Sequence, residues 1–271
     1  MPELPEVETT CRGIAPHISG RQIVQVIVRE KRLRYPVASR LAGDLAGQTV
    51  HAVTRRGKYL LLGCDTGTII IHLGMSGSLF VGNATDRPQK HDHLDILFGN
   101  GRCLRLRDPR RFGAVLWTTR DPERHKLLQH LGVEPLSSGL DGDYLFQRSR
   151  DRRVAIKQFI MDSRIVVGVG NIYASEALFI AGIHPSRAAG RIALARYQQL
   201  AAAIKQVLGD AIDAGGTTLR DFLNAEGRPG YFQQRLRVYQ RAGMPCDRCG
   251  SVLRQVRTGQ RSTYYCCQCQ V

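Results

Sequence analysis

Apolar and polar positions change period twice along this chain. Val7, Thr10, Cys11 and Ile14 recur at helical spacing, and Pro16 and Gly20 close the segment. This predicts a helix after the N-terminus. From Arg21 to about Thr118 the pattern is that of strands. Ile23–Val28, Tyr59–Leu62, Thr68–Ile71, Leu94–Phe98, Cys103–Leu106 and Ala114–Trp117 are short β-forming runs separated by Gly, Asn and Asp turns. Such a series predicts an antiparallel sandwich or barrel. The pattern breaks between Asp121 and Asp141, marking a domain boundary or linker. From Gly142 to about Ala214 it is helical, with helices predicted over Ile156–Met161, Ile172–Ile180 and the Ala-rich Ile192–Ile212. Gly215 and Gly216 stop the last of these. Thr217–Tyr231 is polar, contains Gly227, Pro229 and Gly230, and reads as a mobile loop. A cysteine cluster follows.

The chain has 271 residues, 43% hydrophobic and 23% charged. That is enough for two domains with a sizeable core. No apolar run reaches the ~20 residues of a membrane span. The N-terminus shows no signal-peptide pattern. The expectation is a cytoplasmic monomer with reduced cysteines. Charge changes the picture more. There are 39 Lys and Arg against 23 Asp and Glu, a net charge of +16. This favours a polyanionic partner such as nucleic acid, with an acidic membrane surface as the competitor. The cations are mostly Arg, which suits bidentate contacts to phosphate and base edges. They cluster over 102–111 and 148–164, whereas residues 1–10 carry Glu3, Glu6 and Glu8 and no basic side chain.

Cys246-x2-Cys249 and Cys266-x2-Cys269 have the spacing of a four-thiolate zinc site. Disulfides are the alternative, and reduced cysteines argue against them. Four thiolates leave no open coordination position, so the ion would be structural. Cys267 is a bystander, and Cys11, Cys64 and Cys103 are ordinary buried thiols. The segment between the pairs carries Arg254, Arg257 and Arg261 and is predicted to be a β-hairpin. It is either a DNA reader or a stability clip.

Pro2 is the candidate nucleophile. A small second residue permits removal of Met1, which would expose a secondary amine followed at once by Glu3. An α-amino group titrates near ~8 against ~10.4 for lysine, so it is far more often unprotonated near neutral pH. It could attack an aldehyde-like carbon and give a cationic iminium. The plainer alternative is that Pro2 only starts the helix. Gly168-Val169-Gly170-Asn171 opens a helix and could bind phosphate, or Asn171 could simply be its N-cap. Lys58 opens a strand, either solvated or projecting into a site. Met75 sits in the glycine-rich turn after His72. Asp108-Pro109-Arg110-Arg111-Phe112-Gly113 presents a cation and a ring together. Apolar wedges plus Arg on loops are what fills the gap left by an extruded base.

Taken together, these segments resemble the formamidopyrimidine-DNA glycosylases, bacterial repair enzymes that remove oxidised purines. The carriers are PELPEVET, RRGKYLLL, IIHLGMSGSL, DPRRFGA, GVGNIYASEALF, GGTTLRDF and the terminal cysteine pairs. The resemblance implies an α+β multidomain fold: an N-terminal antiparallel β-sandwich with flanking helices over 1–130, a helix–two-turn–helix domain with a lesion-capping loop over 131–230, and a zinc-finger hairpin over 236–271. Duplex DNA containing an oxidised base would bind between the halves, and one structural zinc would be the only cofactor. Pro2 would be the nucleophile, Glu3 the general acid/base, and Glu6 an organiser of the N-terminal site. Lys58 would contact phosphate and assist proton transfer. Met75, Arg110 and Phe112 would fill the vacated stack. His72, His91, Arg152, Lys157 and Asn171 would hold phosphates or the nearby backbone, and Arg261 would grip phosphates and support the last elimination. Thr217–Tyr231 would cap the flipped base. Two rivals remain. One is an endonuclease VIII-type glycosylase for oxidised pyrimidines, the other a non-catalytic zinc-finger DNA-binding protein.

Overall fold

The computed structural model describes residues 2–216 and 236–271. The loop expected over Thr217–Tyr231 lies outside the described residues. Those described form two compact units, residues 2–129 with 214–216 and residues 130–213 with 236–271.

The first unit begins with α1 (Leu4–Ile18), which buries Val7, Thr10, Cys11, Ile14 and Ile18 along one stripe. The helix does not stop at Pro16 as its sequence suggested. Proline's fixed φ is helical and only its N–H is missing, so the last turn tolerates it at the cost of one hydrogen bond. Ser19 N–H closes the end by donating to Ala15 O at 3.0 Å.

Eight strands follow: β1 (Arg21–Val28), β2 (Thr49–Arg56), β3 (Tyr59–Cys64), β4 (Thr68–His72), β5 (Ser78–Asn83), β6 (Asp92–Phe98), β7 (Arg102–Arg107) and β8 (Ala114–Thr118). A short helix, α2 (Leu41–Leu45), precedes β2. The strands pair antiparallel in the order β5-β7-β6-β1-β2-β3-β4-β8. β1 changes partner along its length. Arg21 and Gln22 pair with β2, residues from Ile23 onward pair with β6, and the register shifts between Ile23 and Gln25. One strand thus serves both halves of a sandwich. A single core joins Leu60, Leu62, Ile69 and Ile71 from one half to Ile96, Phe98, Leu104 and Leu106 from the other, with the α1 stripe against them.

The antiparallel sandwich matches the reading of the sequence. β2, β5 and α2 were not anticipated. β2 reads Thr-Val-His-Ala-Val-Thr-Arg-Arg and fully buries only Val50. Its strand form comes from ladders to β1 and β3 rather than from an apolar run of its own.

The second unit contains α3 (Gly142–Ser149), α4 (Ile156–Met161), α5 (Asn171–Ile180) and α6 (Leu194–Asp213). α5 is buried nearly all round, from Ile172 to Phe179. A hairpin of β9 (Arg254–Thr258) and β10 (Arg261–Tyr265) follows, turning at Gly259 and Gln260 with φ of 55° and 61°. Two successive positive φ values match the right-handed twist of the flanking strands.

Glu176 ties this hairpin's approach to α5. Its carboxylate is 1% exposed and accepts the backbone N–H groups of Arg237, Val238 and Tyr239 at 2.9, 3.0 and 2.8 Å. Burial pushes its pKa up, and the three donors oppose that. Glu176→Ala leaves all three amides without their acceptor, a cost of about 1–3 kcal/mol for each buried group left unsatisfied. The expected outcome is fast hydrogen exchange at 237–239 together with a lower denaturant midpoint. Unchanged protection of those amides would contradict this account.

Candidate functional site

At the start of α1, Glu3 is the N-cap and Leu4 and Pro5 form the first turn. Pro5, not Pro2, therefore takes the helix-starting role, and the plainer reading of Pro2 does not hold. Pro2 is buried one residue ahead of the cap. Glu3 and Glu6 are 3% and 2% exposed. Glu6 Oε2 accepts the Glu3 N–H at 2.8 Å, and the Glu3 side chain accepts the Glu6 N–H, closing a capping box. Two carboxylates are thus held immediately after Pro2 by the geometry of the helix start.

Lys58 occupies the two-residue turn between β2 and β3, after Gly57 at φ 57°. Tyr59 pairs with His72, their rings 4.8 Å apart, so Lys58 lies at the His72 end of the sandwich. His72 Nδ1 accepts the Gly74 N–H at 3.0 Å, which leaves its proton on Nε2. Burial, with help from the Lys58 and Arg34 cations, pushes the imidazole pKa down to about 4. His72 is therefore a neutral Nε2–H donor at physiological pH, not a cation.

Sheet register collects the other loops at the same end. His72 pairs with Ala114, while Ser78 and Asp92 both pair with Arg107. The turns after β4, before β6 and after β7 therefore emerge together, carrying Met75, His91, Arg110 and Phe112. Asp108, fully buried, binds these turns to one another. It accepts from Ser76 Oγ at 2.8 Å and from Gly113 N–H at 2.7 Å, while Arg110 N–H donates to Ser76 Oγ at 3.2 Å. Asp108 N–H donates to His91 O at 3.0 Å. Gly74, at φ 67°, has no room for a side chain, because a Cβ there would fall 2.4 Å from the Phe112 carbonyl carbon. Met75 and Phe112 remain 41% and 42% exposed, and the Arg110 guanidinium lies 4.8 Å from the Phe112 ring centre. These large apolar and cationic groups face solvent on a buried, hydrogen-bonded base. The sequence places Asp108 in this turn but gives it no role, because its partners lie 5 and 32 residues away. An Asp-Pro turn was the only available signal.

In the second unit, Lys157 and Asn171 converge on the hairpin. Lys157 is 1% exposed, and its Nζ donates to Ser262 O at 3.1 Å and to Thr263 Oγ1 at 2.9 Å. Asn171 Nδ2 donates to the same Ser262 O at 3.0 Å, while its buried Oδ1 has no hydrogen-bond partner among the described residues. Gly170 is the N-cap of α5, so Asn171 does not serve as one. Arg261, exposed, is the neighbour of Ser262. Arg152 is exposed on the loop after α3.

The sulfurs of Cys246, Cys249, Cys266 and Cys269 all lie within 4.8 Å of one another. Cys246–Cys269 and Cys249–Cys266 are 3.9 and 3.5 Å apart, too far for the ~2.05 Å disulfide bond. A tetrahedral zinc with ~2.3 Å bonds needs sulfurs about 3.8 Å apart, and the group fits it. Cys267 lies outside the group. Gln270 supports it, accepting the Cys266 N–H and donating to Ile183 O, both at 2.9 Å.

Comparison with known proteins agrees with this arrangement. Residues 1–115 match the formamidopyrimidine-DNA glycosylase N-terminal domain, 131–223 its H2TH domain, and 243–271 the zinc finger found in FPG and IleRS. The chain is 62% identical to the formamidopyrimidine-DNA glycosylase of Nitrosococcus oceani and 60% identical to that of Methylococcus capsulatus, over 100% of each chain. It is similar to the crystal structure of MutM (Fpg) from Thermus thermophilus, with TM-score 0.89 and 37% identity over 99% of this chain and 98% of the other. It is also similar to Lactococcus lactis Fpg in complex with DNA containing an abasic site, with TM-score 0.91 and 30% identity over 99% of each chain. Three parts of one architecture, matched in order, define a DNA glycosylase with a zinc finger. The chain belongs to the formamidopyrimidine-DNA glycosylase family.

Two outcomes follow from this geometry. Chelation, or Cys266→Ser, should release the bound zinc and lose the ordered amide signals of Arg254–Tyr265, read by metal analysis and NMR. Retained hairpin signals without zinc would contradict a structural ion. For His72, the folded pKa of about 4 lies below the ordinary 6.5. Between those values the unfolded chain binds a proton that the folded chain does not, so stability falls as pH drops through this window. His72→Gln should flatten that fall, and an equally steep fall in the variant would refute the assignment.

Proposed function

We propose that this enzyme excises oxidised purines, such as 8-oxoguanine and formamidopyrimidines, from duplex DNA and then cleaves the strand by β,δ-elimination, acting as a cytoplasmic monomer. Residues 1–130 carry the chemistry, 131–230 grip DNA and cap the lesion, and 236–271 form the zinc finger. The observation that carries this reading is the family membership of a chain beginning Pro2-Glu3, with both glutamates of that start buried and locked in one capping box.

With Met1 removed, the Pro2 nitrogen attacks C1′ of the damaged nucleotide. The base leaves, the sugar ring opens with a proton from Glu3, and an iminium joins Pro2 to C1′. The cation acidifies the C2′ proton, whose loss expels the 3′ phosphate; a second elimination expels the 5′ phosphate. Lys58 contacts the lesion phosphate and assists proton transfer, and Arg261 supports the last step. Met75, Arg110 and Phe112 fill the space left by the flipped nucleotide, offsetting an unstacking cost of a few kcal/mol. His72, His91, Arg152, Lys157 and Asn171 hold the DNA backbone, His72 as a neutral donor. Zinc supplies geometry to the hairpin when bound and takes no part in bond breaking.

Structures of Lactococcus lactis Fpg with Fapy-dG DNA support the purine reading. Another complex of that protein contains an oxidised pyrimidine, which keeps an endonuclease VIII-like substrate range as the second reading. Borohydride trapping tests the mechanism. On an 8-oxoguanine duplex it should attach DNA to the N-terminal peptide of the Met1-free protein. A form retaining Met1 should bind DNA but neither trap nor cleave. Strong cleavage with Met1 in place would refute Pro2 as the nucleophile, and a faster rate on thymine glycol would overturn the purine preference.

A further inference from the structure

Arg55 links the two places where the proposed chemistry resides. It is the penultimate residue of β2, and its side chain is 10% exposed. One face of its guanidinium turns to α1, where Nε donates to Glu8 Oε2 at 2.8 Å. The other turns to the β2–β3 turn, where Nη1 donates to Gly57 O at 2.9 Å. That carbonyl belongs to the peptide whose nitrogen is Lys58's own. Glu8 lies five residues after Glu3, about 7.5 Å along the helix at 1.5 Å per residue. Its second oxygen accepts from Arg12 Nε at 2.8 Å.

We propose that Arg55 and Glu8 are positioning residues of the reaction. Together they form a strut that fixes the Lys58 turn relative to the helix whose first residues are Pro2, Glu3 and Glu6. The physical need is clear. The Gly57-Lys58 turn is only two residues long, and Gly57 has wide conformational freedom. A lysine side chain adds four rotatable carbons. The Gly57 carbonyl belongs to the peptide that leads into Lys58, so a shift of that peptide would carry the Lys58 Cα, and with it the ammonium, out of place. A planar guanidinium can hold a carboxylate and a carbonyl at once in fixed directions, whereas a lysine at the same position presents one compact charge. Burial alone would raise the Glu8 pKa, yet its two arginine partners hold it below the usual carboxylate value, so the strut stays ionised near neutral pH.

This rests on the roles proposed above for Pro2 and Lys58. The test is a double-mutant cycle on the full-length, Met1-free enzyme, measured by single-turnover cleavage of an abasic-site duplex. Arg55→Met is expected to slow cleavage by roughly tenfold to a hundredfold, the scale of a reacting group misplaced by about 1 Å. Duplex affinity should fall by no more than it does in Lys58→Ala, because the strut reaches DNA only through Lys58 in this reading. Arg55→Lys keeps the charge and should not rescue the rate. Glu8→Gln retains an acceptor for Arg55 and should keep most of it. In a Lys58→Ala background, Arg55→Met should add no further loss, because the strut acts through Lys58.

Several results would overturn the strut. These are full, additive losses in the Lys58→Ala background, rescue by Arg55→Lys, or a rate loss that merely follows a lowered Tm. An unslowed Lys58→Ala enzyme would overturn it too, by removing the group it positions. Failure of the Pro2 reading looks different: the wild type itself would give no borohydride adduct.

Discussion

The candidate chemistry of the first unit depends on the register of one antiparallel sheet. Tyr59, His72 and Ala114 are aligned across β3, β4 and β8, while Ser78, Arg107 and Asp92 are aligned across β5, β7 and β6. Those pairings place the Lys58, Met75, His91 and Arg110–Phe112 loops at one end of the sandwich. A one-residue slip in any strand would turn its core face outward and aim its loop elsewhere. The register is fixed by the same core residues that close the sandwich, so apolar packing at Ile71, Leu104 and Leu106 sets where polar side chains point.

Buried carboxylates do for the loops what the core does for the strands. Among the described residues, Glu3, Glu6, Asp92, Asp95, Asp108 and Glu176 are buried, against only Arg105 and Lys157 of the strong bases. Each of the six is hydrogen-bonded to backbone N–H groups, arginines or a hydroxyl. The acidic side chains are thus spent disproportionately on internal fixation. The exposed surface is accordingly more basic than the net charge of +16 indicates, and Arg110, Arg152 and Arg261 are all exposed on it.

This division explains what could be read from the chain in advance. The cysteine spacing was legible because metal ligation is a local rule repeated twice. The strands of the sandwich were legible where apolar residues ran together, as in Ile69-Ile70-Ile71. β2 was not, since only its neighbours make it a strand. Pro2, Glu3, Lys58 and Arg110 could be nominated from motifs. Asp108 could not be nominated, nor the link from Arg55 to Glu8, because each joins residues far apart in sequence. The role of Asn171 was open to two readings, and the structure decides against the N-cap because Gly170 occupies that position.

Arg261 shows how a flexible side chain on a narrow hairpin can be aimed. Behind it, the cysteine pairs bracket β9 and β10 and gather the hairpin's base. Beside it, Lys157 and Asn171 take hold of the Ser262 carbonyl. At the tip, Gly259 lies so close to Gln158 that a Cβ would fall 2.1 Å from its Nε2. The hairpin is therefore gathered at its base by the cysteines, gripped at its flank, and packed against Gln158 at its tip. Lys157 makes the flank contact from a site 1% exposed, where a cation is costly unless its hydrogen bonds are satisfied. The Ser262 and Thr263 oxygens contribute to that satisfaction, so displacing the hairpin would cost a buried charge these two acceptors. The flank contact thus sets an electrostatic cost against displacing the strand that carries Arg261.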